Sequence, residues 1–293
     1  MVGRLYLKMS KDRLFQIIVL SLVFTFALIF FVTPNLLILF SSLNPPVLIG
    51  EDTNYIKKMI DHCARVVGPF YLKIYLHSIL IGAYTLLLTF IIGYPFACAI
   101  YFIQNKYLQK FLLISIIVPF WTSSLIRTHC MTALLKTKGI INNSLLFLDI
   151  IGQPLDLLYN TTAIIIGFTY TLVPLMILPV YLSLTKIDKE IIEAAKDLGA
   201  NSMQIFRSIL LPLSVDGIIS GSSMVFLSSL SMFYLADILG GGKYILISNL
   251  IKNKFLITNN WSLGCAICLL FYIFIVLFLL LHKKILSLEL PNN

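Results

Sequence analysis

Long stretches without a charged residue constrain the fold of this chain more than any other feature. Counted between Asp, Glu, Lys and Arg residues, six such stretches occur, at 14–50, 74–105, 111–126, 157–185, 217–236 and 255–282. A helix needs about 20 apolar residues to cross the hydrocarbon core of a bilayer, and only the third stretch is shorter than that. With the third stretch extended to about residue 134, the pattern predicts six membrane-spanning helices.

The composition excludes several other classes of protein. Hydrophobic residues make up 59% of the chain and charged residues 12%, with a mean hydropathy of +0.94, which excludes a soluble enzyme, a disordered tail and a secreted disulfide scaffold. A transmembrane β-barrel is excluded because its strands alternate polar and apolar residues, whereas these stretches are continuously apolar. The sequence therefore predicts an all-α integral membrane protein, whose helices satisfy their own backbone groups within lipid.

Positive residues in the polar connections predict the orientation. Twelve Lys and Arg residues fall on the side that carries both termini and nine on the other side, with Arg127 inside the third span. Because positive charge is enriched in cytoplasmic connections, both termini are expected in the cytoplasm. The basic residues are scattered through short connections, which favours membrane orientation over nucleic-acid binding. The expected parts are a cytoplasmic N-terminus (1–13), a first span (14–40), a periplasmic connection (41–74), a five-helix domain (75–284) and a cytoplasmic C-terminus (285–293).

Neither cysteine nor histidine spacing indicates a metal site. The five cysteines are odd in number, and most lie in apolar stretches, where a thiol packs as a small hydrophobic group. Cys265 and Cys268 form a CxxC motif, but it lies in the last span without a second pair. The four histidines lack ligand spacing, so no metal or other cofactor is expected.

The connection at 185–212 is the longest one on the cytoplasmic side, and its pattern is that of helices. Apolar residues recur at helical spacing, while acids and lysines occupy the remaining positions; the apolar positions are Ile187, Ile191, Ala194, Ala195 and Leu198. Gly199 is placed to end this helix, and Asn201 with Gln204 predicts a capping box that opens a second one. The pattern predicts a bent helix pair with an apolar stripe, suited either to a protein partner or to the membrane surface.

The residues of this connection resemble a known family. Glu193-Ala194-Ala195, Gly199, Ile209 and Leu211-Pro212, with their spacing, are similar to the EAA motif of permease subunits of ATP-binding-cassette (ABC) importers. The resemblance implies the type I ABC importer permease fold, a location in the bacterial inner membrane, and a helix that docks on an ATPase subunit. It assigns coupling to Glu193, Ala194, Ala195 and Gly199. The chain departs from the family in having Asp216, and not proline, before Gly217.

The same resemblance implies the partners. They are a second homologous permease of the C type, a dimer of the ATPase and a periplasmic binding protein. The chain has no GxxxxGK[ST] motif, and Gly240-Gly241-Gly242-Lys243 lacks its spacing, so ATP is expected on the partner ATPase. The glycine run is expected to form a turn, and no covalent chemistry is expected of this chain.

Further stretches are similar to the B-type permeases of spermidine and putrescine importers. They cover most of residues 75–284 and are found at 118–127, 138–139, 233–237, 240–241 and 249–251, with Trp261 downstream. A polyamine is a flexible polycation, so its path should offer carboxylates and aromatic faces and avoid fixed positive charge. The candidate path residues are Trp121, Tyr170, Phe233, Tyr234 and Asp237. The aromatic residues could instead be packing or interface anchors, and Asp237 a helix cap.

Three alternatives remain in view. The EAA motif is shared by importers of other solutes, such as ferric iron, sulfate or thiamine. An ion-coupled secondary transporter should show paired intramembrane acids and an internal repeat, and the sequence has neither. An intramembrane enzyme should place a nucleophile and base, or a metal site, on facing spans, and no such set is found.

Overall fold

The computed structural model describes residues 2–43 and 64–289, and side chains within 15–42 and 64–280. Parts of the predicted periplasmic connection (44–63) and C-terminus (290–293) therefore lie outside the described residues. The described helices are α1 Val2–Ala27, α2 Thr33–Leu43, α3 Pro69–Phe102, α4 Lys106–Trp121, α5 Ser124–Leu135, α6 Ile140–Phe147, α7 Thr161–Leu184, α8 Lys189–Asp197, α9 Ser202–Ile205, α10 Leu211–Leu213, α11 Val215–Ser231, α12 Phe233–Gly240, α13 Ile247–Leu256 and α14 Trp261–Glu289. Two π-helical turns, Leu28–Val32 and Phe206–Leu210, join α1 to α2 and α9 to α10.

Within the described residues, two kinds of helical segment are long and apolar enough to cross a membrane. Four continuous segments are long and apolar enough, at Phe15–Ser42, Pro69–Phe102, Thr161–Leu184 and Trp261–Leu280. Two bent helix pairs also qualify, Lys106–Trp121 with Ser124–Phe147 and Ser202–Leu213 with Val215–Ser231. If each bent pair is one crossing, the structure has the six spans that the charge-free stretches predict.

The third predicted span, 111–134, is not one continuous helix. α4 ends at Trp121 and α5 starts at Ser124, and the two parts of this pair are bent by 96°. The break follows from local hydrogen bonding, because the backbone N–H and hydroxyl of Thr122 both donate to the Pro119 carbonyl, at 3.2 and 2.7 Å. Thr122 and Ser123 then continue in an extended backbone conformation. Hydropathy is insensitive to such a break, since both sides of it are apolar.

The fifth predicted span, 213–236, is divided as well. Its central part is α11, which is bent by 67° from the preceding segment Ser202–Leu213 and ends at Ser231, so that Met232 separates it from α12. Asp216 lies exposed in the first turn of α11, where a carboxylate is favoured by the helix dipole. A helix therefore starts at this position even though aspartate replaces the proline that is common in the family.

Close approach of α3, α7 and α11 builds the core of residues 69–253. A Cβ on Gly217 of α11 would lie 2.6 Å from the carbonyl oxygen of Pro179 on α7, and one on Gly221 would lie 2.8 Å from the Met176 sulfur. Gly93 of α3 meets the same methionine. Small residues permit this approach without a hydrophobic driving force between the helices. Along α3, the hydroxyls of Ser78, Thr85 and Thr89 donate to carbonyls one turn earlier, which satisfies them within an apolar surrounding.

The chain divides into two compact units. One comprises residues 69–253 and 275–293, and it contains this core together with every candidate site described below. The other comprises residues 1–68 and 254–274. In that unit α1 and α2 expose nearly all of their described apolar side chains, as lipid-facing helices do, and Phe255 packs edge-on against Trp261 with ring centroids 5.4 Å apart.

Candidate functional site

The EAA segment forms the bent helix pair predicted from its pattern. α8 begins after Asp188 and carries Glu190 in its first turn and Lys196 in its last, which suits the helix dipole at each end. Gly199 adopts φ +82°, and its N–H donates to the Lys196 carbonyl, while the N–H of Ala200 reaches the Ala195 carbonyl at 3.0 Å. This pair of hydrogen bonds is a Schellman motif, which confirms Gly199 as the end of the helix.

The second helix of the pair opens with the predicted capping box. The Asn201 side chain accepts from the Gln204 N–H, and the Gln204 side chain accepts from the Asn201 N–H, both at 2.8 Å. The chain continues through the π-helical turn Phe206–Leu210 into α10. Because both ends of the turn at 198–201 are held by hydrogen bonds, the angle between the two helices is locally determined.

The apolar stripe predicted along α8 divides into two sides. Ile187 and Ile192 are buried in the core, and Ala195 packs partly against it. Ile191, Ala194 and Leu198 face outwards, and Leu198 is 89% exposed. Of the predicted face, Ile191, Ala194 and Leu198 are exposed and Ala195 is half-buried, whereas Ile187, which precedes the helix, is buried. Glu193 is exposed beside the outer side, which leaves an apolar row with an adjoining carboxylate.

Two tyrosines of α3 hold the segment at both ends. The Tyr101 hydroxyl donates to the Ile187 carbonyl at 3.2 Å, just before α8, and the Tyr94 hydroxyl lies 2.9 Å from the buried Ser214 hydroxyl, at the start of α11. The Phe206 ring packs edge-on against Tyr94, with centroids 5.6 Å apart. Sequence reasoning missed both tyrosines. Their spacing of seven residues, which places them on one face of a helix, was the available signal.

Replacing Tyr94 with phenylalanine should lower the free energy of unfolding by about 1 kcal/mol, because a buried hydroxyl pair is lost while the ring remains. Thermal unfolding of the purified protein in detergent measures the effect. Tyr84→Phe is the matched control, since Tyr84 lies on the same helix with its side chain exposed. Equal stability of the two variants would mean that the contact with Ser214 does not hold the segment.

The predicted path residues fall in three places. Phe233, Tyr234 and Asp237 share the short helix α12. Tyr170, on α7, lines an apolar cavity of about 540 Å³, together with Pro119 and Arg127. The guanidinium of Arg127 lies over the Phe120 ring, 5.6 Å from its centroid, and its Nε is buried with no hydrogen-bond partner among the described residues. Trp121, at the end of α4, is 84% exposed and is not among the residues that line the cavity.

The Asp237 carboxylate is already engaged. It accepts one hydrogen bond from the Asn249 amide and forms an ion pair with the Lys252 ammonium, and both residues lie on α13. Lys252 also lies over the Phe233 ring, 5.5 Å from its centroid. Gly241 and Gly242, with φ of +62° and +71°, reverse the chain between the two helices, as predicted for the glycine run. Asn249 and Lys252 were missed because nothing local in the sequence pairs them with Asp237.

No metal centre is found in the part of the chain that the structure describes. Within it, no group of three or more His, Cys, Asp or Glu side chains is placed to hold a metal ion. Cys265 and Cys268 are free thiols, buried and half-buried respectively. The cysteine motif in the last span therefore packs as part of an apolar helix.

Comparison with known proteins gives a family and several relatives. The family described as binding-protein-dependent transport system inner membrane component matches residues 90–287. The spermidine/putrescine transport system permease protein PotB of Salmonella typhimurium strain SL1344 is 37% identical over 278 residues, covering 94% of this chain and 95% of that protein. PotB of Haemophilus influenzae is 39% identical, covering 86% and 87%.

Solved structures agree on the fold. A chain of a bacterial alginate ABC transporter, in complex with an alginate-bound periplasmic protein, has a TM-score of 0.76 at 17% identity and covers 96% of both chains. A chain of the inward-facing MetNI methionine ABC transporter has a TM-score of 0.58 at 18% identity and covers 76% of this chain and 98% of its own. These likenesses show the fold alone.

ABC importer permeases work with a second permease, an ATPase subunit that binds ATP, and a periplasmic binding protein, and they are not enzymes. The helical structure, the EAA segment and the match over residues 90–287 agree with one another. This chain belongs to the family of binding-protein-dependent transport system inner membrane components, the multi-pass inner membrane permeases of ABC importers.

Proposed function

We propose that this chain is the B-type permease of a polyamine importer and forms half of the path for spermidine or putrescine. The observation that carries the proposal is the 37–39% identity to PotB permeases over 86–94% of the chain. The chemistry of one site supports it. The cluster around Asp237 combines a carboxylate with an aromatic face, the groups that recognise an ammonium.

The cavity beside Tyr170 is a poorer place for such a solute. It is lined almost wholly by apolar side chains, and Arg127 is its charged residue. A fixed guanidinium repels a polycation at close range in an apolar surrounding. For a cationic solute, the α12 and α13 cluster is therefore the favoured part of the path, with Phe233, Tyr234 and Asp237 as its contacts and Trp121 and Tyr170 further along it.

Coupling to ATP hydrolysis is assigned to α8. Its outward row of Ile191, Ala194 and Leu198 offers an apolar surface to the ATPase, Glu193 and Ala195 flank the row, and Gly199 leaves the turn without a side chain. When the ATPase dimer closes on ATP, α8 moves with it. The hydrogen bonds of Tyr94 and Tyr101 then pass that motion to α3, while the chain itself passes it to α11.

The orientation follows from this assignment. Docking on an ATPase requires residues 185–212 to lie in the cytoplasm, which agrees with the excess of Lys and Arg on that side. Residues 1–13 and 285–293 then lie in the cytoplasm as well, and 41–74 in the periplasm. Residues 14–40 form the first span and 75–284 the five-helix domain. The full assembly adds a C-type permease, two ATPase subunits and a periplasmic polyamine-binding protein.

Uptake by the reconstituted assembly tests the solute. Vesicles containing both permeases and the ATPase, with the binding protein outside, should accumulate labelled spermidine or putrescine only when ATP is supplied inside. Ferric iron, sulfate and thiamine serve as competing solutes. Accumulation of one of these without polyamine uptake would replace the proposed solute, and uptake independent of ATP would favour a secondary transporter.

Photo-cross-linking tests the docking surface separately. A benzoylphenylalanine in place of Leu198, which is 89% exposed, should cross-link to the ATPase. The same replacement of Leu148, also an exposed leucine but in the connection between α6 and α7, is the matched control and should give no such product. Cross-links of equal yield from both positions, or none from Leu198, would contradict the assignment of α8.

A further inference from the structure

An ammonium group of the protein itself lies between a carboxylate and an aromatic ring, the groups that a cationic solute would use. The Lys252 ammonium contacts an Asp237 oxygen and lies 5.5 Å from the centre of the Phe233 ring. The other Asp237 oxygen accepts from the Asn249 amide, which also donates to the Phe233 carbonyl at 3.0 Å. The same asparagine thus ties the Asp237 carboxylate to the backbone at Phe233.

Two facing helices fix this arrangement. Phe233 and Asp237 are four residues apart on α12, and Asn249 and Lys252 are three apart on α13, so each pair lies on one helix face. Asn249 is almost fully buried, and its two amide hydrogens are both used. The recognition groups therefore remain in place when the long, flexible side chain of Lys252 moves.

The site is open to exchange. The Asp237 side chain is 34% exposed and that of Lys252 24%, so solvent or a solute reaches both partners of the ion pair. The side-chain oxygen of Asn249 is buried and has no hydrogen-bond partner among the described residues. A buried amide oxygen without a donor is unfavourable.

We propose that Asp237, Phe233 and Asn249 form a subsite for one ammonium group of the cargo, and that Lys252 is a tethered competitor that fills the subsite when no cargo is present. The inference rests on the proposed polyamine function. When an ammonium of the cargo replaces that of Lys252, the Asp237 carboxylate stays paired. An empty site would leave this carboxylate unpaired in the bundle, which costs free energy. Lys252 therefore keeps the path neutral between transport cycles and sets the affinity for the cargo.

Uptake kinetics of the reconstituted assembly test the exchange. In Lys252→Met the competitor is absent, so the KM for putrescine should fall by about fivefold, the size expected for one partly exposed ion pair. In Lys252→Arg the competitor holds the carboxylate through two hydrogen bonds, so KM should rise. Asp237→Asn should raise KM and make it insensitive to a second change at Lys252. Lys254→Met removes a charge two residues along the same helix and should leave KM unchanged.

A structural ion pair would behave differently. The double variant with Lys252→Met and Asp237→Asn would recover an assembly that the single variants lose, and Lys252→Met and Lys252→Arg would not shift KM in opposite directions; either of these results overturns the proposal. The amount of assembled complex is measured for each variant by size-exclusion chromatography. If Lys252→Met does not assemble, the rise expected in Lys252→Arg decides alone. If the unmodified assembly takes up no polyamine, the proposed function fails, and with it the solute named for this subsite.

Discussion

Replacing Gly217 with leucine should prevent α11 from packing on α7 and abolish the folded permease. A Cβ at this position would lie 2.5 Å from the Ser183 Cβ, 2.6 Å from the Pro179 carbonyl oxygen and 3.0 Å from the Val180 Cα. Two of these are backbone atoms of a packed helix, so no side-chain rotation relieves the clash. We expect a loss of about 3 kcal/mol or more, at the upper end of overpacking effects.

Gly152→Leu is the matched control for this substitution. A Cβ on Gly152 meets no atom within 4 Å, and the residue lies in an exposed connection. The two variants are compared by thermal unfolding in detergent and by the yield of monodisperse protein. Similar melting temperatures for both would show that α7 and α11 do not approach as closely as the structure has them.

Gly199→Glu should reduce ATP-driven uptake by roughly tenfold or more, the size typical of a central interface position. The reason is intermolecular, because a Cβ on Gly199 meets no atom of this chain within 4 Å. The added carboxylate would follow the exposed Leu198 at the end of α8, next to the surface assigned to the ATPase. Uptake and ATP hydrolysis by the reconstituted assembly should both fall, while the variant permease still folds.

The control for this second substitution shares its backbone strain. Gly242 also has a positive φ, +71°, with no atom within 4 Å of its Cβ position, so Gly242→Glu carries the same cost of about 1–2 kcal/mol for a left-handed non-glycine residue. Only the location differs. If both variants lose uptake to the same degree, strain and not docking explains the effect, and the role of Gly199 is refuted.

Local signals in the sequence were the most reliable. The helix end at Gly199 and the capping box of Asn201 and Gln204 were predicted correctly, because each is decided by hydrogen bonds within about five residues. The charge-free stretch 157–185 predicted a span that the structure places at Thr161–Leu184, since an uninterrupted apolar stretch between polar connections leaves little choice. The proline residues at 174 and 179 did not end it.

Predictions that depended on neighbouring elements were less successful. The stripe on α8 was extended back to Ile187, but that residue is buried in the core with Ile192 while the rest of the stripe stays accessible. The third span was drawn as one helix, although the hydroxyl of Thr122 and the Pro119 carbonyl end α4. In both cases the alternatives have the same composition, so hydropathy and periodicity could not distinguish them.

The amino-acid sequence by itself determined the class of protein, the number of apolar segments and the helical EAA segment, because burial in lipid and short-range hydrogen bonding depend on residue type and spacing. Only the tertiary structure decided which side of α8 stays exposed, which tyrosines hold it, and that Asp237 is paired with Lys252. These outcomes depend on how distant parts of the chain pack, and an ion pair between two helices forms only where a turn brings their faces together.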